Sequence, residues 1–184
     1  MQKTYISPQL LLQRSYELAV QILESTFRPN WILAVWRGGA PVGMAVQEYL
    51  KVHGVPTDHI AIRTSSYHTI GEQSSQISVH GLEYVVKNAN ANDRLLIIDD
   101  IFDSGRSISA ILDKLQRKMR LNLPQQIRVA TVFFKPDNNK TLIIPDFYCQ
   151  TTNAWIVFPH ELEGLTREEI QEMKGDEMVS LMRV

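Results

Sequence analysis

The strongest constraint on the fold is the run from Leu95 to Ser107, in which apolar residues lead directly into charged and then small residues. Four aliphatic residues precede two adjacent carboxylates, Asp99 and Asp100. A short, wholly apolar run is typical of a central parallel strand, which is buried on both faces. In open α/β sheets, ligands bind outside the carboxyl ends of the strands. The run therefore predicts a buried strand that carries two carboxylates to a ligand site.

Strands and helices alternate on both sides of this run. Short apolar runs predict further strands, at 31–36, 59–63, 82–86 and 127–134. Apolar residues at helical spacing predict helices, between Pro8 and Arg28, from Val42 to Gly54 and between Gly105 and Pro124. A strand–helix–strand succession implies parallel βαβ units with right-handed crossovers. We therefore predict an α/β fold with a parallel central sheet flanked by helices, without predicting the order of its strands.

Residues 64–81 stand apart from this pattern, because they are rich in serine, glutamine, glycine and histidine and show no apolar period. Loops of this length without regular structure are uncommon in compact domains unless they act as lids or binding loops. We predict a flexible active-site loop here, within a single domain that spans residues 1–184. Near the carboxyl end, Thr166 and Glu169 form a capping box for a short helix, and a last helix is predicted within 175–182.

Composition and charge exclude several classes of protein. A chain of 184 residues can bury the core of one domain without disulfides. Its 19 basic and 20 acidic residues give a net charge of −1, so no basic surface for nucleic acid is indicated. No apolar run approaches the ~20 residues of a membrane span, and the first residues lack the apolar core of a signal peptide. Because Cys149 is the single cysteine, we expect the chain in the reducing cytoplasm.

The adjacent carboxylates Asp99 and Asp100 repel each other unless a cation or hydrogen-bond donors offset their charge. Mg²⁺ fits such a pair, because it prefers oxygen ligands and commonly joins one or two carboxylates to the phosphates of a substrate. The pair can also accept hydrogen bonds from the two adjacent hydroxyls of a ribose. The alternative is a solvated turn in which Asp103 or Ser104 simply caps the following helix.

The residues after the pair favour a ligand site over that alternative. Asp103 to Ser107 places small residues, backbone amides and two hydroxyls at a helix N-terminus, which binds phosphate through its amides and the helix dipole. After the strand at 31–36, Arg37 and Gly38 offer a second anion site, since glycine lets the backbone approach a ligand and arginine donates to phosphate oxygens. An acid pair beside a phosphate site calls for a ligand with a phosphate and vicinal hydroxyls, namely a phosphorylated sugar.

The run from Leu95 to Ser107 resembles the phosphoribosyl pyrophosphate (PRPP) signature of the type I phosphoribosyltransferases, which joins an apolar strand, an acidic pair and small hydroxyl and glycine residues. Further segments agree with that family, namely Arg37-Gly38-Gly39 (pyrophosphate loop), Ser65-Ser66-Tyr67 (start of the catalytic loop), and Phe134-Lys135-Pro136 with Trp155-Ile156 (purine-binding residues). The resemblance covers Trp31 to Glu161 and is closest to the bacterial xanthine-guanine and hypoxanthine-guanine branch. It implies a Rossmann-like fold with a small hood over the base site.

The resemblance implies a role for each matched residue on the ribose side. Asp99 and Asp100 would hold the ribose hydroxyls and a Mg²⁺ ion that also binds the pyrophosphate. Arg37 and Gly38 would contact the pyrophosphate itself. Four residues at the helix start would bind the 5′-phosphate, largely through backbone amides, and these are Ser104, Gly105, Arg106 and Ser107.

On the base side, the resemblance implies that Asp103 faces the purine N7 and assists proton movement. Lys135 would donate to the 6-oxo group, which favours oxopurines over adenine because a 6-amino group is itself a donor. Trp155 would stack on the purine ring, and Ile156 would offer its backbone carbonyl to the 2-position. These assignments do not rank hypoxanthine, guanine and xanthine.

The implied activity is the Mg²⁺-dependent transfer of the 5-phosphoribosyl group from PRPP to N9 of a 6-oxopurine, hypoxanthine or guanine and also xanthine. The products are the purine nucleotide and pyrophosphate, as in purine salvage. Closure of a loop that contains Ser66 and Tyr67 would exclude water from the reaction. The expected partners are therefore PRPP, the base and the nucleotide product, with no nucleic acid and no membrane, in a homodimer or homotetramer.

Two other functions stay open at this point. Some proteins of this fold bind PRPP or a nucleotide as a regulatory signal and catalyse nothing. A phospho-acceptor receiver domain also groups aspartates at strand ends, although its acidic pair would lie early in the chain. One departure from the family concerns the predicted lid, because 64–82 contains no lysine or arginine. A cationic contact from the lid to pyrophosphate would have to come from His68, His80 or Arg63.

Overall fold

The computed structural model describes residues 3–67 and 76–182. These ranges hold eight strands, namely β1 (Lys3–Tyr5), β2 (Trp31–Trp36), β3 (Asp58–Tyr67), β4 (Gln76–His80), β5 (Arg94–Phe102), β6 (Gln126–Phe134), β7 (Phe147–Thr151) and β8 (Trp155–Val157). They also hold six α-helices, namely α1 (Pro8–Glu24), α2 (Gly39–Val52), α3 (Glu83–Asn88), α4 (Arg106–Met119), α5 (Arg167–Lys174) and α6 (Asp176–Leu181). The chain divides into a smaller unit, Met1–Leu11 with Ala154–Val184, and a larger unit, Leu12–Asn153.

A six-stranded sheet in the order β4-β3-β2-β5-β6-β7 forms the centre of the larger unit. Five of these strands are parallel, and β4 pairs antiparallel with β3 at one edge. In the middle of the sheet, Leu33 pairs with Ile97, which pairs in turn with Val129. All three side chains are buried, as expected for strands that are covered on both faces. The prediction of an α/β fold with a parallel central sheet is confirmed.

The core of the larger unit anchors the end of β5. Every residue from Leu95 to Ile98 is fully buried. Helix α4 adds an apolar stripe to the same core, with Ile108, Ile111 and Leu115 at helical spacing. Burial of each such side chain contributes roughly 1.5–3 kcal/mol. The two carboxylates therefore follow a fully buried part of β5.

The hairpin of β3 and β4 differs from the irregular loop predicted for 64–81. Strand β3 continues to Tyr67, strand β4 begins at Gln76, and these two residues pair in an antiparallel ladder. The prediction of irregular structure is therefore wrong for both arms of the hairpin. Val79, at 3% exposure, is buried within this polar segment, and a single buried side chain gives no period to read. Residues 68–75 lie outside the described residues, and the flexibility of the loop stays a prediction.

The run at 82–86 forms the start of helix α3, and the predicted short strand is wrong. Leu82 is the N-cap residue, and the helix begins at Glu83. Leu82 and Val85 are both fully buried, and their spacing of three residues places them on one helix face. A short apolar run does not by itself distinguish a strand from a buried helix.

The remaining helices agree with the sequence. At the start of α1, the Leu10 amide donates to the Ser7 hydroxyl at 3.1 Å, so the predicted N-cap is present. Helix α2 begins at Gly39, three residues before the predicted start, and α4 begins directly after Gly105. None of the described helices is long and apolar enough to cross a bilayer.

In the smaller unit, β1 pairs in parallel with β8, and helices α5 and α6 follow. The predicted capping box is present, since the Glu169 amide donates to Thr166 Oγ1 at 3.2 Å and the Thr166 amide donates to Glu169 Oε2 at 2.9 Å. Glu169 also accepts from Lys3 Nζ at 2.7 Å and from the Tyr5 hydroxyl at 2.8 Å. The carboxylate therefore ties β1 to α5. The sequence does not predict β1, because three residues show no period.

Candidate active site

The carboxylates of Asp99 and Asp100 lie near the carboxyl end of β5, as predicted. The Asp100 amide donates to Asp99 Oδ1 at 3.0 Å, and Asp100 is only 8% exposed. Burial raises the pKa of Asp99 well above its usual range, and the negative charge of Asp100 adds to this. Hydrogen bonds from the backbone at Asp100 and Gly39 act in the opposite direction without cancelling the rise. The negative charge of Asp99 is therefore held at a cost in the free chain.

The loop between β2 and α2 packs directly against this acid pair. A Cβ on Gly38 would lie 1.7 Å from Asp100 Oδ2, and a Cβ on Gly39 would lie 2.4 Å from the backbone oxygen of Ile98. Only glycine fits at such separations. The peptide bond between Trp36 and Arg37 is cis. The predicted pyrophosphate loop and the predicted ribose-binding acids are thus brought into contact from positions about sixty residues apart in the sequence.

The start of α4 forms a small polar cavity next to the acid pair. Gly105 is the N-cap residue with φ +75°, so no side chain caps the helix at that position. The cavity has a volume of about 80 Å³, and its lining includes Asp99, Asp103, Ser104, Gly105 and Ser107. Amides at a helix N-terminus favour a bound anion. Asp99 and the predicted phosphate site at the start of α4 therefore line one cavity.

Asp103 and Lys135 also come together, although they follow different strands. Lys135 Nζ lies 3.3 Å from Asp103 Oδ2, and Asn138 Nδ2 donates to Asp103 Oδ1. The Lys135 side chain is 15% exposed, whereas that of Asp103 is 44% exposed. The Lys135 amide donates to the Phe102 carbonyl at 2.9 Å, which fixes the ends of β5 and β6 beside each other. The carboxylate of Asp103 is thus engaged in the site instead of capping α4.

The segment after Lys135 contacts the site in a way that the sequence does not reveal. We call residues 136–141 the brace. The Lys140 amide donates to the Ser104 carbonyl at 3.0 Å, and a Cβ on Gly105 would lie 2.5 Å from Thr141 Oγ1. In the sequence, Pro136-Asp137-Asn138-Asn139 reads only as the end of a strand. Turn-forming residues with side-chain donors after a parallel strand are the one signal that could have indicated the contact.

For the other predicted site residues, the structure gives the place of each in the fold. Arg106 is exposed at the start of α4, and Ser66 is exposed on β3. Tyr67 is the last residue of β3. Trp155, at 55% exposure, and Ile156, at 7%, belong to β8 of the smaller unit. Their predicted roles stay predictions.

The residues that could supply a cation to the predicted lid differ in what the structure shows. His80 pairs with Arg63 across the β3–β4 ladder, and both are exposed. His80 Nε2 lies 3.3 Å from the Ser65 hydroxyl. His68 lies outside the described residues. His80 and Arg63 are therefore held at the base of the hairpin.

The donor set suits one hard divalent cation that takes part of its coordination from a ligand. Within residues 3–67 and 76–182, no group of three histidine, cysteine, aspartate or glutamate side chains could hold a metal alone. Asp99 and Asp100 provide carboxylates whose charge is opposed by burial and by each other. Mg²⁺ commonly binds one or two carboxylates and completes its shell with water and substrate phosphates. The acid pair fits that pattern.

Solved structures with the same fold include two phosphoribosyltransferases. A purine phosphoribosyltransferase from Pyrococcus horikoshii is 25% identical with a TM-score of 0.67, and the match covers 90% of this chain and 99% of that chain. The xanthine-guanine-hypoxanthine phosphoribosyltransferase of Helicobacter pylori is 25% identical with a TM-score of 0.63, covering 85% and 92%. A Neisseria gonorrhoeae protein solved with bound ppGpp is 18% identical with a TM-score of 0.73, covering 94% and 95%.

Comparison at the level of sequence adds the family. A search of curated proteins found no significant match. The family model described as the phosphoribosyl transferase domain matches residues 2–165, which include the acid pair, the start of α4 and the loop between β2 and α2. The chain therefore belongs to the phosphoribosyltransferase family, as the resemblance of Leu95 to Ser107 predicts.

Proposed function

We propose that the chain transfers the 5-phosphoribosyl group of PRPP to N9 of a 6-oxopurine, hypoxanthine or guanine and also xanthine, and releases pyrophosphate. The observation that carries this proposal is the meeting of three features at one sheet edge: the acid pair, the anion-binding start of α4, and Lys135 beside Asp103. Each feature alone has an ordinary structural explanation. Together they match the parts of a phosphorylated ribose and of a purine that presents an oxygen.

On the ribose side, Asp99 and Asp100 accept hydrogen bonds from the 2′- and 3′-hydroxyls and hold Mg²⁺. An Mg²⁺ ion held there would supply positive charge to the pyrophosphate leaving group. The raised pKa of Asp99 supports this role, because a cation removes the electrostatic cost that the acid pair bears alone. The 5′-phosphate lies at the start of α4, where the amides from Ser104 to Ser107 donate to it.

On the leaving-group side, Arg37 and the amide of Gly38 donate to the pyrophosphate. The close approach of Gly38 to Asp100 supports this role, because it places the pyrophosphate loop next to the ribose acids. The reaction forms a bond between ribose C1 and purine N9 and breaks the bond between C1 and the pyrophosphate oxygen. Closure of the loop near Ser66 and Tyr67 keeps water away from C1.

On the base side, Asp103 accepts a proton at purine N7 while Lys135 donates to the 6-oxo group. A lysine has only donors to offer, and a 6-amino group would meet it with another donor. The closeness of Lys135 to Asp103 supports this pairing of roles, since N7 and the 6-oxo group are adjacent on one edge of the purine. Trp155 stacks on the ring, and the Ile156 carbonyl faces the 2-position.

The assembly and the cellular location belong to the same proposal. We take the family's usual homodimer or homotetramer as the form in solution, and light scattering after size exclusion measures it. The cytoplasm is the proposed location, and it accords with a single cysteine, Cys149, which has no partner for a disulfide.

A turnover assay tests the proposal directly. The chain is incubated with PRPP and Mg²⁺ and with hypoxanthine, guanine, xanthine or adenine in turn, and both pyrophosphate and nucleotide are quantified. We expect nucleotide and pyrophosphate in equal amounts with at least one 6-oxopurine and little product with adenine. Binding of PRPP without turnover of any base would contradict the enzyme proposal and support a regulatory protein of the same fold.

A further inference from the structure

Both carboxylate oxygens of Asp103 have a partner in the free chain. Lys135 Nζ lies 3.3 Å from Oδ2, and Asn138 Nδ2 donates to Oδ1. In the proposed function, Lys135 must turn to the 6-oxo group of the base. Asp103 then loses part or all of its interaction with the Lys135 ammonium, at the moment when its carboxylate has to face purine N7. Asn138 is the partner that stays.

The structure around Asn138 fixes its place more firmly than that of the lysine. The segment Pro136–Asn138 forms a 3-10 turn, in which the Asn138 amide donates to the Lys135 carbonyl at 3.3 Å. Two residues later, the Lys140 amide donates to the Ser104 carbonyl at 3.0 Å. The brace is thus attached to the β5–α4 loop on the far side of Asn138. Asn138 has a short side chain on a pinned backbone, whereas Lys135 reaches Asp103 through a long flexible one.

The next residue secures the remainder of the brace. The Asn139 side chain donates to the Ile143 carbonyl at 2.8 Å and accepts from the Thr141 amide at 2.9 Å. Asn139 therefore serves the turn itself, and Asn138 is the asparagine that faces the site. An amide donor suits this task, because it orients a carboxylate through one oxygen without neutralising its charge.

We propose that Asn138 is a positioning residue that holds the Asp103 carboxylate toward the base while Lys135 binds the 6-oxo group. The inference rests on the proposed function, since it assigns Asn138 to the same reaction. Asn138 touches neither substrate in this scheme and acts only through Asp103. Loss of the amide donor lets the carboxylate rotate away from N7, so the chemical step slows while binding of PRPP is retained.

Three substitutions separate the donor from the shape of the side chain. Asn138→Leu keeps the side chain's branching at Cγ and removes the donor, and we expect kcat to fall about tenfold with KM for PRPP within about twofold. Asn138→Asp keeps the shape but sets a second carboxylate against Asp103, and we expect a larger fall. Asn138→Gln keeps an amide on a longer chain and should retain more activity than the leucine variant. Because Asn138 is exposed, all three should fold with an unchanged Tm.

A matched control lies in the same part of the chain. Asn153 Nδ2 donates to Asp137 Oδ2 at 2.5 Å, which is a second exposed asparagine–aspartate bond that attaches to the brace. This bond does not involve Asp103. Asn153→Leu should leave kcat within about twofold of the parent. An equal fall in Asn153→Leu and Asn138→Leu would overturn the positioning role, because loosening of the brace alone would then explain both.

A double-mutant cycle separates a positioning role from a general structural role. A structural defect in Asn138→Leu would lower kcat by the same factor whether or not Asp103 is present. In an Asp103→Asn background, Asn138→Leu should change the residual kcat by less than about twofold, since its target is already gone. The same factor of loss in both backgrounds, or a parent-like kcat in Asn138→Leu, would overturn the inference while the unsubstituted chain stays active. Absence of turnover in the unsubstituted chain would overturn the proposed function together with the inference.

Discussion

Two carboxylates in different units of the chain are treated in opposite ways by their surroundings. Glu169, in the smaller unit, accepts hydrogen bonds from Lys3, the Thr166 amide and Tyr5, which lower its pKa to about 2. Asp99, in the larger unit, is half-buried, and this partial burial together with the charge of Asp100 raises its pKa well above the usual range. A carboxylate with partners in the chain stabilises the fold, whereas one held against its charge marks a place for an outside partner. The contrast supports the ligand site proposed at the end of β5.

The largest effect is expected at Asp103. Like Glu169, it has hydrogen-bonding partners in the chain, but it lies in the candidate active site. Asp103→Asn keeps the shape and removes the proton acceptor, so we expect kcat to fall on the order of a thousandfold, with KM for PRPP within about threefold. Initial rates at varied PRPP measure both constants. Equal losses in kcat and in affinity for PRPP would contradict a role toward the base.

A smaller but still large loss is expected when the pyrophosphate loop is moved off the acid pair. Gly38→Ala sets a methyl group 1.7 Å from Asp100 Oδ2, and the displaced carboxylate should lower kcat/KM about a hundredfold. Gly54→Ala is the control, because Gly54 has φ +76° and no heavy atom within 4 Å of its Cβ position. It should lose about 1 kcal/mol of stability and no activity. Full activity in Gly38→Ala would show that the loop and the acids do not act together.

Lys135 should govern the choice of base. In Lys135→Ala, the ratio of kcat/KM for hypoxanthine to that for adenine should fall about tenfold, because the donor that rejects a 6-amino group is gone. Lys118→Ala, at an exposed position of α4, removes the same charge away from the site and should leave the ratio unchanged. A ratio that does not move in Lys135→Ala would place the recognition of the 6-oxo group elsewhere.

Asp99→Asn should stabilise the free chain while it removes activity. The pKa of Asp99 is higher in the folded than in the unfolded chain, so its ionisation destabilises the fold as pH rises above the unfolded value of 3.8. Near neutral pH, the variant should therefore have a higher Tm than the parent. The difference should disappear below about pH 4, where the parent carboxyl is protonated in both states. Thermal unfolding across this range measures it, and parallel curves for parent and variant would contradict the buried cost of Asp99.

Glu169→Gln should show the opposite sign. The pKa of Glu169 is lower in the folded chain, so its contribution to stability is present above the unfolded value of 4.5 and is lost as pH falls toward about 2. The variant should have a lower Tm than the parent near neutral pH, and the two curves should converge in acid. Tyr5→Phe removes one of the three donors and should lie between them. A Tm in Glu169→Gln equal to that of the parent would show that the Glu169 carboxylate does not stabilise the fold.

The buried parts of this architecture can be predicted from the sequence. A short apolar run such as Leu95 to Ile98, with helices predicted on both sides, is best explained as a central parallel strand. The parallel sheet and the position of the acid pair at its carboxyl edge can both be predicted from that strand. The capping box at Thr166 and Glu169 is equally local. In each case the signal and the structure lie within a few residues of each other.

The parts that sequence alone does not predict depend on contacts between distant segments. Lys3 meets Glu169 across 166 residues, and Asn138 meets Asp103 across 35. The spacing of apolar residues gives no information about side-chain pairs between distant segments. The β3–β4 hairpin is missed for another reason. The edge strand β4 is held by backbone pairing to β3 and tolerates polar side chains, so Val79 is its one buried side chain among those described.

The central claim is that a ligand offsets the cost of the negative charge on Asp99, and the most direct test is the pH dependence of ligand stabilisation. The Tm of the parent and of Asp99→Asn is measured with and without Mg²⁺ and PRPP from mildly acidic to neutral pH. We predict that the ligands raise the Tm of the parent, more at neutral than at acidic pH, and that this dependence is lost in Asp99→Asn. No rise in the parent, or the same dependence in both chains, would contradict the claim.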